Sequence, residues 1–438
     1  MTGFLIFGHL MYSWLFRRTP HKEAILVESR IKPQRLIDSL ATLGRIGETP
    51  QGMMRLAFSP ADLAGRKYVT DLMKSGGMTI RIDSAGNLIG LKTGDNPALP
   101  SIAIGSHTDT VPNGGKYDGS LGVLAAIECI NTMKDLSITT RHNLEIIDFT
   151  NEEGTGYGRW LYGSRAMTGL LEDGDLSAID ENGIPIGSRL QDVGGDVRRI
   201  HESERQPNDF AAYLELHIEQ GPVLHSSGIP IGKVTGITGR IALEITIRGF
   251  ANHAGTTPMS GRRDALLSAA KIIQAVNTIA TDEEICRVGT VGIARISPGA
   301  DNVIPGRATL SVEFRDENIK PMLDAEIRIT QLCQQEARMS KVEITISRIG
   351  ITKPSPMDSN IQKIIDEAAH NQQLETRSLP SGAGHDAQSM STLTPSGMIF
   401  VPSIDGISHS PNEYSSPESC AIGANVLLST LLTIDRQF

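Results

Sequence analysis

The chain is poor in the features that mark several large protein classes. Its 438 residues include four cysteines, Cys129, Cys286, Cys333 and Cys420, with no C-x-x-C pair among them. That scarcity argues against a zinc knuckle or a dense disulfide framework, and reduced thiols in a cytoplasm fit best. Basic residues are outnumbered, 41 to 50, for a formal net charge of -9. A nucleic-acid partner, which wants a basic face, is therefore not expected. Long apolar runs are missing too. FLIFGHLMYSWLF, residues 4–16, is followed by Arg17 and Arg18, and is too short for a bilayer, whose crossing takes about 20 residues. It lacks the basic n-region and A-x-A site of a secretory signal. It reads as a docking helix, or as residues ahead of the true start, and no membrane partner is expected. No internal repeat or low-complexity tract stands out.

What is present is an ordinary globular composition, 39% hydrophobic and 21% charged, in a chain longer than one core usually supports. Two domains are expected. SIAIGSH (101–107), LEIIDFTNEE (144–153), AYLELHIEQ (212–220) and GMIFVPS (397–403) read as strands running into polar or glycine-bearing loops. LGVLAAIECINTMK (121–134) has helical spacing, which makes a βαβ unit and a parallel sheet. Residues 239–349 differ. RIALEITIRGF alternates apolar and polar positions, and the order β-α-β-β-α-β that follows is ferredoxin-like. The expected fold class is thus α/β, a sheet with helices on both faces interrupted by an inserted α+β domain. The expected division is an extension of unknown role (1–30), a first catalytic part (31–238), the insert (239–349) and a second catalytic part (350–438).

Ligands in parallel sheets bind beyond the carboxyl ends of strands, and His107, Glu152, Glu153, His217 and Glu219 all fall there. With Asp118 in the loop GGKYDGS, several of these supply imidazole and carboxylate groups without thiolate. That mixture suits Zn²⁺, Mn²⁺, Co²⁺ or Ni²⁺. A glycine-bracketed Asp118 can approach two ions and offer one oxygen to each. Asp109, two residues past His107, is placed to accept that histidine's other ring N–H. Neighbouring glutamates at a strand end point in different directions, so one of Glu152 and Glu153 can ligate while the other stays free as a general base. Taken alone, an acidic pair in a loop is ordinary surface charge.

The segments GSHTDTVP, GGKYDGSLGVLAAIE, FTNEEG, LELHIEQGPVL, ANHAGTTPM, RRDAL, DNVIPG, VEFRD, SGAGHDA and GISHSPNEYSSPE together resemble the hydantoinase/carbamoylase branch of the dinuclear metallopeptidase and aminoacylase superfamily. The similarity runs in order over about residues 31–435. It implies His107, Asp118 as a bridge, Glu153, His217 and His409 as ligands of two divalent ions, and Glu152 as general base. It also places Gln220, His253, Asn302 and Arg315 at the substrate, with the insert serving as a lid and dimer contact and His253 reaching a neighbouring subunit. Arg315 offers a planar fork for a carboxylate. Gly382 and Gly384 offer backbone N–H groups to an anion, and His385 and Asp386 are candidate orienters.

The activity implied is hydrolysis of a small-molecule ureido acid, as in N-carbamoyl-L-amino-acid hydrolases. Allantoate amidohydrolase, β-ureidopropionase and ureidoglycolate amidohydrolase are alternatives. A di- or aminopeptidase of the same superfamily and a dimeric binding protein without activity stand further off. Gly156 with Tyr157, His225 and Ile241 depart from the pattern of relatives and bear on substrate identity.

Overall fold

The computed structural model describes residues 29–438, so the apolar run at 4–16 and most of the expected extension lie outside the described residues. Along the chain, α1 (Pro33–Leu43) and α2 (Pro60–Ser75) precede β1 (Thr79–Ile82), β2 (Leu88–Lys92) and β3 (Ser101–His107). Next come α3 (Ser120–Asp135), β4 (Leu144–Phe149), β5 (Phe210–Ile218) and β6 (Ile231–Ile237). The insert holds β7 (Gly239–Arg248), α4 (Ala265–Ala280), β8 (Val288–Ser297), β9 (Arg307–Asp316), α5 (Ile319–Ser340) and β10 (Glu343–Thr352). The chain then returns through β11 (Ser355–Pro356), α6 (Ser359–His370), β12 (Thr376–Ser381), β13 (Ser396–Val401) and α7 (Pro417–Gln437).

The large sheet is mixed, in the order β11-β6-β13-β5-β3-β4-β2-β1, with β12 beside β6. Its centre is parallel, β13 beside β5, β5 beside β3 and β3 beside β4. Every residue of β3 is buried, because both faces are covered. Ile102 and Ile104 pack with α1, α2, α3, α6 and α7, while Ala103 joins Phe149, Tyr213 and Phe400 on the other side. The first face carries the long helices; the second is closed by short ones, Tyr162–Met167 and Asp386–Met390. Helix starts follow their capping residues. Ser59 accepts the Asp62 amide ahead of Pro60, and Ser416 accepts the Ser419 amide ahead of Pro417. Helix α7 is apolar enough to cross a membrane by composition, but here it fills the core with Leu427, Leu428, Leu431 and Ile434.

The insert forms an antiparallel sheet in the order β8-β9-β7-β10. Alternation along β7 sends Ile241, Leu243, Ile245 and Ile247 toward α4 and α5, where Phe314, Ile329 and Ile272 complete a separate core. The last strand runs to Thr352, beyond the 349 read from the sequence, because a bulge between Arg348 and Gly350 lets it stay paired with β7 as far as Arg240. Strand β4 ends earlier than read, at Phe149, which leaves Glu152 and Glu153 in the loop that follows.

Two cores give a direct test. Phe314→Ala should cost the smaller domain about 3–5 kcal/mol. Amide exchange should quicken in β7–β10 and stay slow in β3; equal loss of protection in both would mean a single cooperative unit.

Candidate metal centre and active site

The parallel strands end at one edge of the sheet, and each delivers a residue there. His107 is the last residue of β3 and His217 the penultimate residue of β5. Glu152 and Glu153 follow β4, His409 follows β13, and Asp118 stands just before α3.

Asp118 is the centre. Its Oδ1 lies 3.1 Å from His217 Nε2 and 3.8 Å from His107 Nε2. Its Oδ2 lies 3.0 Å from His409 Nε2, which is itself 3.7 Å from Glu153 Oε1. One carboxylate thus divides two groups, His107 with His217 on one oxygen and Glu153 with His409 on the other, and both groups have metal-binding spacing.

The ring protons are already committed. Nδ1 of His107 meets the Asp109 carbonyl at 3.0 Å and Nδ1 of His217 the Ile218 carbonyl at 2.9 Å. In its neutral form each ring then turns the lone pair of Nε2 toward the Asp118 carboxylate. Lone pairs facing a carboxylate repel unless a cation stands between them. Glu153 Oε1 and Gln220 Oε1 are buried here without a hydrogen bond. Acceptors in excess, imidazole nitrogen and carboxylate oxygen without thiolate, fit two divalent cations.

The proton affinities carry the same strain. Burial and the charge of Glu153 push the Glu152 carboxyl well above its usual range; burial and Asp118 do the same to Glu153. Burial holds His107 down to about 4. Burial opposes charge on His217 as well, but the hydrogen bond and charge of Asp118 outweigh it and lift that imidazole to about 9.

The loop carrying Asp118 is held by groups the sequence did not announce. Glu413 accepts the amides of Tyr117 (2.9 Å) and Asp118 (3.0 Å) through Oε1, and the Ser408 hydroxyl (2.7 Å) through Oε2. It therefore ties the Asp118 loop to the His409 loop. Two glycines permit the approach. A Cβ on Gly115 would sit 2.1 Å from the Glu413 carboxyl, and one on Gly119, whose φ is +60°, 2.4 Å from the His107 ring. Arg55, fully buried, grips both ends of the same stretch through the Thr108 carbonyl (2.7 Å) and the Ser120 hydroxyl (3.0 Å). Glu215 lies beneath His217, bound to Ser106 (2.9 Å), Tyr213 (3.1 Å) and the Ala387 amide (2.9 Å). Its charge within a largely apolar strand was the available signal; Glu413 lies inside the segment GISHSPNEYSSPE, which marks the resemblance without telling what this carboxylate holds.

Asp109 corrects the expectation made for it. Its backbone carbonyl takes the His107 ring proton, and the nearest carboxylate contact to that ring is 3.7 Å. The carboxylate instead accepts the amides of Glu152 and Glu153, each at 3.2 Å, and so shapes the acidic loop. Gln220, at a φ of +56°, donates to Asp118 Oδ2 at 2.9 Å. His385 packs on His217 with ring centroids 4.4 Å apart and meets Ser381 Oγ at 2.7 Å. Asp386, fully buried, opens the helix behind it. Glu219 is drawn away, capping the helix Val223–Ser227 through two amides.

Substrate candidates divide between the domains. Arg315 crosses from β9 to donate to the Gly382 carbonyl at 2.7 Å and to Glu313 at 3.0 Å. Space around Gly382 is open, and beside Gly384 only Gln388 Oε1 comes near. His253 and Asn302 sit together on the insert, where the Ala254 amide meets the Asn302 carbonyl at 2.8 Å. Neither bonds to the Asp118 cluster of its own chain. Of the departures, Ile241 is buried in the smaller core and faces away from the site. His225 is bound by the Asp405 amide at 3.0 Å, and Gly156 stands in open space with a φ of +82°.

Two results should follow. Metal uptake requires His217 to give up a proton, so the affinity of metal-stripped protein should tighten as pH rises toward 9. Calorimetry in buffers of different ionisation enthalpy should detect proton release at about pH 7 that fades above about pH 10. Glu413→Ala strands the amides of Tyr117 and Asp118, a cost of about 1–3 kcal/mol, and elemental analysis after dialysis should show fewer metals per chain with the fold retained.

Residues 103–433 match the model described as peptidase family M20/M25/M40. The N-carbamoyl-L-amino acid amidohydrolase of Geobacillus stearothermophilus is 40% identical over 412 residues, covering 92% of this chain and 98% of that one. Ureidoglycolate hydrolase of Arabidopsis thaliana is 36% identical over 410 residues, covering 91% and 85%. The crystal structure of an amidase of the hydantoinase/carbamoylase family from Burkholderia multivorans aligns with a TM-score of 0.85 at 35% identity, covering 93% and 98%. The chain belongs to the M20/M25/M40 peptidase family and, within it, to the hydantoinase/carbamoylase branch.

Proposed function

We propose that the protein is a metal-dependent amidohydrolase that cleaves the ureido C–N bond of a linear N-carbamoyl acid, in the first place an N-carbamoyl-L-amino acid. The observation that carries this reading is the Asp118 carboxylate divided between His107 with His217 and Glu153 with His409, in a chain whose relatives include an N-carbamoyl-L-amino acid amidohydrolase. His107, Asp118, Glu153, His217 and His409 would hold two ions, of Zn²⁺, Mn²⁺, Co²⁺ or Ni²⁺ type. Such ions, when bound, polarise a carbonyl and acidify water.

The remaining chemistry belongs to side chains. Glu152 lies 3.5 Å from His107 Nε2, and burial with Glu153 raises its hold on a proton. It takes a proton from the attacking water and passes it to the departing nitrogen. Water adds to the ureido carbonyl, the C–N bond breaks, ammonia leaves, and the resulting carbamate falls apart to CO₂ and the free amino acid. Gln220 orients substrate beside Asp118, and Arg315, Gly382 and Gly384 mark the end where the substrate carboxylate rests. His385 steadies His217 through its ring contact.

The active form is a homodimer in which His253 and Asn302 serve the partner's site. Support comes from their place on the insert, clear of their own cluster, and from the His253 ring. Its Nδ1 accepts the Gly255 amide at 2.9 Å, so a neutral ring carries its proton on Nε2, ready for an oxyanion. A cytoplasmic setting fits four free cysteines, all buried.

Metal-loaded protein should release ammonia from N-carbamoyl-L-amino acids with higher kcat/KM than from allantoate or ureidoglycolate; no ammonia from any of them would reject the reading. Glu152→Gln should keep its metal, by elemental analysis, and lose at least about a hundredfold in kcat.

A further inference from the structure

The loop that carries the acidic pair folds back on itself. Leu161 donates its amide to the Glu152 carbonyl at 2.7 Å, and Tyr162 donates to the Asn151 carbonyl at 3.2 Å. This pairing lays Trp160 against the residue after Glu153, so closely that a Cβ on Gly154 would sit 2.5 Å from the Trp160 amide nitrogen. The two aromatic residues of the loop then part. Tyr157 meets Phe58 edge to face, with ring centres 6.0 Å apart, in the small apolar cluster of Ile186 and Leu190. Trp160 stays 52% exposed.

Across from that indole lies the insert. Arg240 on β7 holds its guanidinium carbon 5.9 Å from the ring centre and donates through Nε to Glu313 at 2.6 Å. Glu313 also accepts from Arg315 on β9, which reaches the Gly382 carbonyl. The ring thus stands in the gap between the acidic loop, beside Glu153, and the strand pair that carries Arg315. A tryptophan left half in solvent forgoes the burial that its large apolar area would gain, and in a cleft that area is kept for a ligand.

A linear ureido acid fixes the place of its own middle. With the ureido carbonyl at the Asp118 cluster and the carboxylate at Arg315 and the Gly382 loop, the α-carbon and its side chain fall between the two. Trp160 lines that interval. We infer that Trp160 forms the wall against which the substrate side chain packs, so that the protein favours N-carbamoyl amino acids with aromatic or large aliphatic side chains over N-carbamoylglycine. This rests on the proposed activity for the two ends of the ligand, but its test is read by binding and does not depend on turnover. An indole face packs on rings and aliphatic chains alike, and so selects by apolar area.

The probes are N-carbamoyl-L-phenylalanine and N-carbamoylglycine, which share both ends and differ only in the side chain. Metal-loaded Glu152→Gln protein should bind the first more tightly by calorimetry. Adding Trp160→Ala should raise the Kd of the phenylalanine derivative about five- to fiftyfold and that of N-carbamoylglycine less than about twofold, and Trp160→Phe should restore part of the difference. With Trp14→Phe, Trp160 is the one tryptophan of the chain, and its emission should shift on adding the phenylalanine derivative. Equal weakening of both ligands by Trp160→Ala, an unchanged Kd for the phenylalanine derivative, no preference for it before Trp160 is altered, or a silent Trp160 emission would overturn the assignment. Failure of the wild-type protein to release ammonia, with the Trp160-dependent preference intact, would instead reject the proposed activity and leave Trp160 as the side-chain wall.

Discussion

Repulsion between acceptors is the constraint on which the site depends. Around Asp118 the chain buries imidazole lone pairs and carboxylate oxygens with little to separate them. Buried charge of one sign is costly unless a counter-charge enters. The protein tolerates that cost at one point of the sheet, and the surrounding structure can be understood as what keeps these groups from moving apart. The scaffold answers with hydrogen bonds and, without metal, with the proton that Asp118 holds on His217. Backbone carbonyls of Asp109 and Ile218 fix the two rings, and Glu413 fixes the loop between them.

Architecture and electrostatics therefore work on the same residues. Four parallel strands ending at one edge supply position at low conformational cost, because each ligand lies at or just beyond the end of a rigid element. Arg55 closes the excursion that carries Asp118 by gripping the stretch at Thr108 and Ser120. Burial pulls that guanidinium down to about 10, which leaves it charged at neutral pH and able to serve as a fixed cation behind an anionic site. The insert contributes a different kind of control. Arg315 reaches from its sheet to the Gly382 loop, so movement of the smaller domain would disturb that loop.

Much of this was legible in the sequence. Period-two alternation in residues 240–250 marked a one-sided sheet, and the β-α-β-β-α-β order gave its topology. His107, Asp118, Glu153, His217 and His409, named from strand ends and from the resemblance, are the residues that meet. What stayed hidden follows a physical rule. Glu413 and Arg55 act on backbone groups of segments distant in the chain, and no local pattern records such a partner. The mistake over Asp109 has the same origin, since spacing told that it lies near His107 but not whether its carbonyl or its carboxylate faces the ring. Ile241 illustrates the strength of face over position: one step along β7 separates a core side chain from Arg240, which turns to the opposite face and meets Glu313.

The order of the chain has a consequence for how the protein is made. Domains fold from the amino terminus during synthesis, and His107, Asp118, Glu153 and His217 all leave the ribosome before the insert begins at residue 239. His409 and Glu413 come last, followed only by α7. The strand beside His217, the clamp on the Asp118 loop and the helix that fills the core all belong to that last segment, so a nascent chain holding four of the five clustered residues still lacks the parts that fix them in place.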